Sequence, residues 1–425
     1  MQEKAKTRLT RRHVSHLAAR LAKMPLDTVA EPRRGETKWP IRTLLTAPMV
    51  GMAAGCKGLG EVEELSAWLG AGARQHLGLK SRLPDTTMRD LLVQLDPNEV
   101  RKLNYGFIRG ARRAKQLNHD MPLRAVSMDG KATSTWLFDP PDAPVQYGQR
   151  QGDHAVVRTI TACLATVPGR PCLDAHPVPP ETNEMGAFVS ALDALLGAYG
   201  RSLFDVVMYD AGACSQANAT AVVDRMLDYV FCLTEGQPEL LREAQRVLSD
   251  LSLGAAQATA TDIDGGDIVT WWVWVTDELA GWPNWPHMNT VVRIHKVKTD
   301  KDGNVLSTED RYYVSSLAAT RLTPNSWLDL IRRRWSVENQ NHMIWDTVLS
   351  EDKRPWILLP SGMVVVMLLR RLVYNLLTLY RSVTLRSERN RSQSWTRLLR
   401  DIYRALLRAT VDVMAGVRRR KAVGI

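Results

Sequence analysis

The feature that most constrains this chain is an ordered series of short apolar runs in its middle, two of which end on an aspartate. Leu123–Asp129 (LRAVSMD) is a run of strand type. Val156–Val167 is rich in β-branched residues, and Arg170–Val178 continues the pattern after the turn pair Pro168-Gly169. Asn183–Tyr199 has helical spacing, Phe204–Tyr209 runs straight into Asp210, Ser215–Leu227 is again helical, and Tyr229–Leu233 is a fifth strand. Runs of this length bounded by Gly, Pro and Asp read as strands, and a period of three to four residues reads as helix. The order is therefore three strands, a helix, a strand, a helix and a strand. Such an order predicts an α/β fold, with an antiparallel trio followed by strand-helix-strand units on the same sheet.

That is the order of a ribonuclease-H-like core, in which the first and fourth strands are neighbours. The expectation is that Asp129 and Asp210 meet at the ends of those strands, Asp129 before a turn at Gly130. Residues 236–325 interrupt the pattern with strand-like runs at Trp271–Val275, Asn289–Val297 and Arg311–Leu317, and with turns at Asp264-Gly265-Gly266 and Asp302-Gly303-Asn304. They read as a β-rich insertion. A long helix then opens near Ser326 and carries Glu338, with Ile331, Trp335, Glu338, His342 and Trp345 along one face. The expected division is an N-terminal helical region (1–118), a core in two parts (119–235 and 326–384) around the insertion (236–325), and a basic tail (385–425). In the first region, helices are expected over 5–23, 41–55, 60–69, 71–79, from a cap at Asp85 or Thr86 to Leu95, and from Glu99 to Gln116. They read equally as a helix-turn-helix DNA reader or as a plain helical packing unit.

Charge is uneven along the chain. The formal net charge is +11. Residues 363–425 hold 14 Arg and Lys against three acids, and residues 1–42 hold 11 against four, which leaves the middle at −7. Basic ends around an acidic centre suit a polyanion-binding protein with carboxylate chemistry in its middle, and they equally suit a merely soluble basic protein. Five cysteines (Cys56, Cys163, Cys172, Cys214, Cys232) without a C-x-x-C spacing argue against a disulfide framework and a structural zinc site. The charged first thirty residues lack the apolar core of a signal peptide, and the longest apolar run, Met363–Leu369, is too short to span a bilayer. The expected location is cytoplasmic, at the nucleoid of a bacterium.

Three acidic residues at those positions suggest a chemistry. Phosphodiester cleavage and joining need an activated oxygen nucleophile, a stabilised leaving oxygen and charge neutralisation, which two Mg²⁺ ions roughly 4 Å apart supply. Mg²⁺ prefers oxygen donors, hence carboxylates rather than His or Cys cages. On local pattern alone, the two aspartates read as well as turn residues, and Glu338 as the partner of a nearby arginine.

The ordered motifs carry a resemblance. Asp85–Arg89, Val126–Lys131, Glu181–Glu184, Asp210-Ala211, Asp228–Val230, Arg311–Leu317, and Arg334–Asn339 with His342, Trp345, Asp346, Glu351 and Asp352 together resemble the DDE-class insertion-sequence transposases. The likeness is to their ISAs-type branch, which includes the H-repeat-associated proteins, and it runs from about residue 26 to 383. It implies that Asp129, Asp210 and Glu338 are the catalytic, metal-binding triad, with Mg²⁺ as the cofactor and Mn²⁺ as its substitute. It implies DNA as the partner, as terminal inverted repeats and as target, and at least a dimer in the DNA complex. Candidate DNA contacts are Lys131, Arg332, Arg333, Arg334 and His342, with Arg334 at the signature arginine. Asn183 and Glu184 are fold residues on this reading. The signature departs at Ile331 and Trp345, where the broader group has Tyr and Lys. A DNA-binding relative that has lost activity, or a nuclease of this fold that does not join strands, would carry much of the same pattern.

Overall fold

A computed structural model describes residues 2–35, 37–137, 147–285, 287–385 and 387–417. Six helices come first: α1 (Gln2–Leu21), α2 (Ile41–Ala54), α3 (Leu59–Trp68), α4 (Ala71–Leu77), α5 (Asp85–Gln94) and α6 (Pro97–Arg113). They lie within a few residues of the expected spans. One local detail differs: α5 has no side-chain cap, since Asp85 is its first residue and Pro84 precedes it. At α6, Asp96 accepts from the Asn98 N–H and Pro97 opens the first turn, a favoured helix start.

The middle of the chain is β1 (Ala125–Trp136), β2 (Gln149–Gln151), β3 (His154–Leu164), β4 (Cys172–Pro177), α7 (Glu184–Tyr199), β5 (Val206–Tyr209), α8 (Gln216–Asp224), β6 (Asp228–Cys232) and α9 (Pro238–Leu248). The expected alternation is present. β3 pairs antiparallel with β1 and carries β4 on its other edge, while β5 lies parallel to β1 and β6 parallel to β5. The result is a mixed α/β architecture on one large mixed sheet.

Two features of that sheet differ from expectation. First, β1 does not end at Asp129. It runs on through Gly130 to Trp136, in register with β3 from Val126↔Leu164 to Trp136↔His154. The residues after Asp129 are polar, so hydropathy ends the strand early, yet Lys131, Thr133 and Thr135 are all buried. Their partners account for this: Thr133 Oγ1 donates to Asp352 (3.1 Å) and Thr135 Oγ1 to the Leu358 carbonyl (2.8 Å). Second, the inserted strands β7 (Ala258–Asp264), β8 (Asp267–Thr276), β9 (Thr290–Thr299) and β10 (Val305–Ser315) extend the same sheet, because β10 pairs with β6. The sheet then reads β2-β3-β1-β5-β6-β10-β9-β8-β7, with β4 also on β3.

One face of this sheet packs α7, α8 and α9 through Phe188, Leu192, Val222 and Leu240. The other face packs α10 (Pro324–Arg334) through Trp327, Leu330 and Ile331. The long helix expected to carry Glu338 is interrupted. After α10 the backbone turns through a π-helical segment, Val337–His342, before the short α11 (Met343–Thr347). A π-turn adds a residue to the helical repeat and rotates everything after it, so the single face drawn from Ile331 to Trp345 is split. Ile331 belongs to the core under the sheet, Trp345 to the helical core, and Glu338 is exposed.

α12 (Pro360–Leu379) is the axis of that helical core. With the turn that follows it, to Thr384, it is long and apolar enough to cross a membrane, and its most apolar stretch is wholly buried inside the protein. Its Arg370 and Arg371 are buried as well, and Arg371 makes two hydrogen bonds to the buried Glu351 (2.5 and 2.7 Å). After α13 (Glu388–Arg391), α14 (Trp395–Arg408) packs Leu398, Leu399, Ile402 and Leu406 into the same core, in contact with α1 and α2. Much of the basic C-terminal stretch is thus a built helix. Its outer face carries Arg397, Arg400, Arg404 and Arg408, while the residues from Arg418 onward lie outside those described.

Leu406 is fully buried at the junction of the two chain ends. Leu406→Ala is expected to lower stability by about 2–5 kcal/mol through lost burial and a residual cavity, read as the urea unfolding midpoint. An unchanged midpoint would mean that α14 does not belong to the core.

Candidate acidic site

The site is built at the parallel pairing of β1 with β5. The last ladder pair is Met128↔Tyr209, so Asp129 and Asp210 come next, side by side on adjacent strands. Asp210 sits where β5 ends, and its Oδ1 accepts the Gly212 N–H (2.8 Å) in a tight local turn. Asp129 is buried within its longer strand, opposite Thr161 of β3. Glu338 approaches from the π-turn, and the end of α10 just before that turn is tied to β1 by the Ser127 hydroxyl donating to the Arg334 carbonyl (2.6 Å).

The proximity has an electrostatic consequence. Burial, and then the negative charges of Asp210 and Glu338, push the Asp129 carboxyl up to about 8. Arg334 offsets part of that, and Glu184 adds to it. Glu184 itself is raised by burial and by Asp210. Four carboxylates therefore act on one another here, one more than the sequence indicates. Glu184 reaches the site from the first turn of α7, whose start Asn183 caps by accepting the Gly186 N–H (3.0 Å). It lies directly over Gly130, where a Cβ would fall inside its carboxyl group. Gly130 is therefore small to admit Glu184, and it does not make a turn. Asn183 and Glu184 stand in the sequence as an ordinary helix start, and only the long-range approach to β1 reveals the second role.

The candidate DNA contacts are all engaged within the protein. Lys131 is buried and donates to Asp346 (2.7 Å) and Asp352 (3.1 Å). Arg332 pairs with Asp262, and Arg333 with Asp120 and with Asp329 (2.9 Å). Arg334 is buried, with its guanidinium 3.5 Å from Glu338 Oε1. His342 Nδ1 stands 3.5 Å from Asp129 Oδ2. Burial, and then the positive charges of Arg371 and Lys131, lower His342 to about 3, so at neutral pH this contact is between a neutral imidazole and a carboxyl group. Its Nε2, the Thr161 hydroxyl and the Tyr209 hydroxyl are buried without hydrogen-bond partners among the described residues.

Among the described residues, no three His, Cys, Asp or Glu side chains converge closely enough to hold a metal ion as they stand. The donors nevertheless suit one in kind. They are carboxylate oxygens, the set a hard dication takes, and their mutual repulsion is what a cation would relieve. Glu338 is the side chain whose orientation differs most from such a role, since it is turned towards Arg334.

No protein-family model matches the chain, and no curated protein sequence does. Among solved structures, the chain is similar to a piggyBac transposase in a synaptic complex with hairpin DNA. The sequence identity is 12%, the match covers 96% of this chain and 80% of that one, and the TM-score is 0.37. A likeness at that level carries no argument about what this chain does.

The raised carboxyl gives a testable pH dependence. A carboxyl whose folded value lies above its unfolded one makes the fold take up a proton, so stability falls as pH rises from about 4 to about 8. In EDTA, Asp129→Asn is expected to remove that fall. The variant should be the more stable protein at pH 7, by a few kcal/mol at order of magnitude, and the gap should close below pH 4. Parallel urea-unfolding curves for the two proteins across that range would refute the assignment.

Proposed function

We propose that this protein is a DNA transposase with a ribonuclease-H-like core, in which Asp129, Asp210 and Glu338 form a DDE-type active site. The observation that carries the reading is the adjacency of Asp129 and Asp210 on the parallel strands β1 and β5, with Glu338 brought to them by a docked π-turn. Parallel neighbours β1 and β5, with β1 also belonging to the antiparallel trio β1-β3-β4, are the order of that core. A buried carboxyl such as Asp129, raised by its burial and then by the charges of Asp210 and Glu338, is costly without a counterion, which favours a functional reading over a turn role.

Mg²⁺, or Mn²⁺ in its place, would supply charge neutralisation and an activated oxygen nucleophile at this site. The residues divide the remaining work. Asp129, held rigidly within its strand, and Asp210, at the strand end, would offer oxygen donors from one floor. Glu338, exposed on an irregular turn, would exchange its contact with Arg334 for the third donor position. Arg334 would then be left with positive charge facing a phosphate. His342, neutral and against Asp129, would orient that carboxyl.

DNA is the partner on this reading, as terminal inverted repeats and as target, with paired ends requiring at least a dimer. The two basic chain ends come together in the fold, since α1 packs on α14. Arg397, Arg400, Arg404 and Arg408 face outward there, a stripe suited to neutralising phosphates.

The test is incubation of end-labelled duplexes carrying the element's own flanking repeats with Mg²⁺ or Mn²⁺, using wild type beside Asp129→Ala, Asp210→Asn and Glu338→Gln. Cleavage at the repeat ends and joining to a target plasmid are expected of wild type, with losses of at least about a hundredfold in each variant. Binding without cleavage would make this an inactive DNA-binding protein, and cleavage without joining a nuclease. Full cleavage by Glu338→Gln would remove that residue from the site. For the basic stripe, Arg397→Glu with Arg404→Glu is expected to weaken DNA binding and flatten its salt dependence. An unchanged salt slope would exclude that face from the interface.

A further inference from the structure

The central sheet ends differently at its two sides. At one end β2 is three residues long, and at the other β7 is seven, with no strand beyond it among the described residues. An edge strand presents unpaired backbone N–H and C=O groups, and proteins blunt such edges with short strands, proline, lysine or bulges. β2 is blunted by its length. β7 carries no proline or lysine, and its ladder with β8 is regular from Ala258↔Val273 to Asp264↔Asp267. Its two acids are offset within the protein, Asp262 by Arg332 and Asp264 by Lys298 (3.1 Å).

The strand is held firmly while its outer side stays open. Ala258 and Ala260 pack into the core that α10 shares with the sheet, which fixes β7 in place. Thr259, Thr261 and Ile263 alternate with them on the opposite face, and all three are exposed, Ile263 by 79%. Cross-strand partners share a face, so Ile263 continues into Ile268, Thr299 and Val305. No residue of that row is charged. Such a face gives a polyanion nothing to hold, so this edge fits a polypeptide strand rather than DNA.

We propose that β7 pairs antiparallel with β7 of a second copy of this chain, about a two-fold axis at Thr261, joining the two sheets into one. Thr261 is the middle residue of Ala258–Asp264, so only that register opposes the whole strand in both copies. It sets Ala258 against Asp264, Thr259 against Ile263, Ala260 against Asp262 and Thr261 against itself. No acid meets an acid, whereas an axis one residue further on would place Asp262 against itself, which is destabilising. The strand is thus its own complement, which commits the edge to a second copy and not to a foreign strand. The pairing is isologous, so it closes at two copies instead of growing into a fibre. One paired strand buries much less than the roughly 800 Å² per partner of a standard interface, so the dimer is weak and forms as concentration rises. It goes beyond the DNA-processing reading and does not rest on it, since it needs no DNA.

The test is sedimentation equilibrium of the full chain without DNA, up to about 0.5 mM, beside cross-linking of variants with one added cysteine. The five native cysteines are buried, so a cysteine added at the edge is the one that reacts. Wild type is expected to pass from monomer to dimer with no larger species. Thr261→Lys sets two ammonium groups opposite each other and should raise the dissociation constant at least about fivefold. Thr261→Cys should be joined to itself by a short bis-maleimide. Thr259→Cys and Ile263→Cys should cross-link efficiently only when the two are mixed, because those positions oppose each other. Unfolding midpoints identify any variant that fails to fold, and the wild-type series stands without the variants. Monomer at every concentration would overturn the proposal. A dimer that Thr261→Lys leaves unchanged and Thr261→Cys does not cross-link would place the interface elsewhere and overturn it too. DNA cleavage by a protein that stays monomeric here would overturn the β7 pairing alone, and a β7 dimer that never cleaves DNA would overturn only the transposase reading.

Discussion

The structure depends on the parallel pairing of β1 with β5, flanked on the far side of β1 by the antiparallel β3. A parallel pair cannot be joined by a tight turn, so a crossover is needed, and after the chain has added β3 and β4 to the sheet, α7 makes it. That excursion brings Glu184 over Gly130, while the register aligns Asp129 with Asp210. The same pairing that organises the core therefore concentrates negative charge at one point. Burial, and then that repulsion, push the Asp129 carboxyl up to about 8. Repulsion of this kind opposes folding, and its persistence at one rim of an otherwise well-partnered sheet sets that rim apart.

The supports around the acids are buried ion pairs on one side and a partly exposed π-turn on the other. Beneath the extended part of β1, Lys131 is buried between Asp346 and Asp352, and deeper still Glu351 is held below the usual carboxylate range by Arg371 and Arg370 despite complete burial. Buried ion pairs contribute little net stability against apolar replacements, but losing one partner is costly, so they hold a unique arrangement. Here they lock the segment after the π-turn to the first strand. In the π-turn itself Val337 and Asn341 are buried, with the Asn341 amide donating to the Arg170 carbonyl (2.9 Å), while Glu338, Asn339 and Gln340 are exposed.

The inserted strands extend the central sheet rather than forming a separate body, since β10 adds to β6. That continuity gives the tryptophans of β8 a rigid footing beside α10, with Arg332 stacked on Trp271 and paired with Asp262 of β7. It also leaves β7 as a firmly held outer edge of the sheet.

Apolar rhythm determined much of this protein from the sequence alone. The helical spans of the first 118 residues, the alternation from β1 to β6, and Asp210 at the end of its strand were all legible, because hydrophobic periodicity reports local structure directly. What the rhythm misses is burial achieved by polar contacts. β1 beyond Asp129 looked like a turn because Lys131, Thr133 and Thr135 are polar, and their partners lie more than 200 residues away. β7 was not expected because its residues are largely exposed on a sheet edge. The break at Val337–His342 was not legible because a helical wheel assumes a constant repeat, and one added residue rotates every later side chain. The role of Gly130 and the arrival of Glu184 were decided by tertiary structure alone. No local pattern states that a strand's missing side chain makes room for a carboxylate from a helix 54 residues further on.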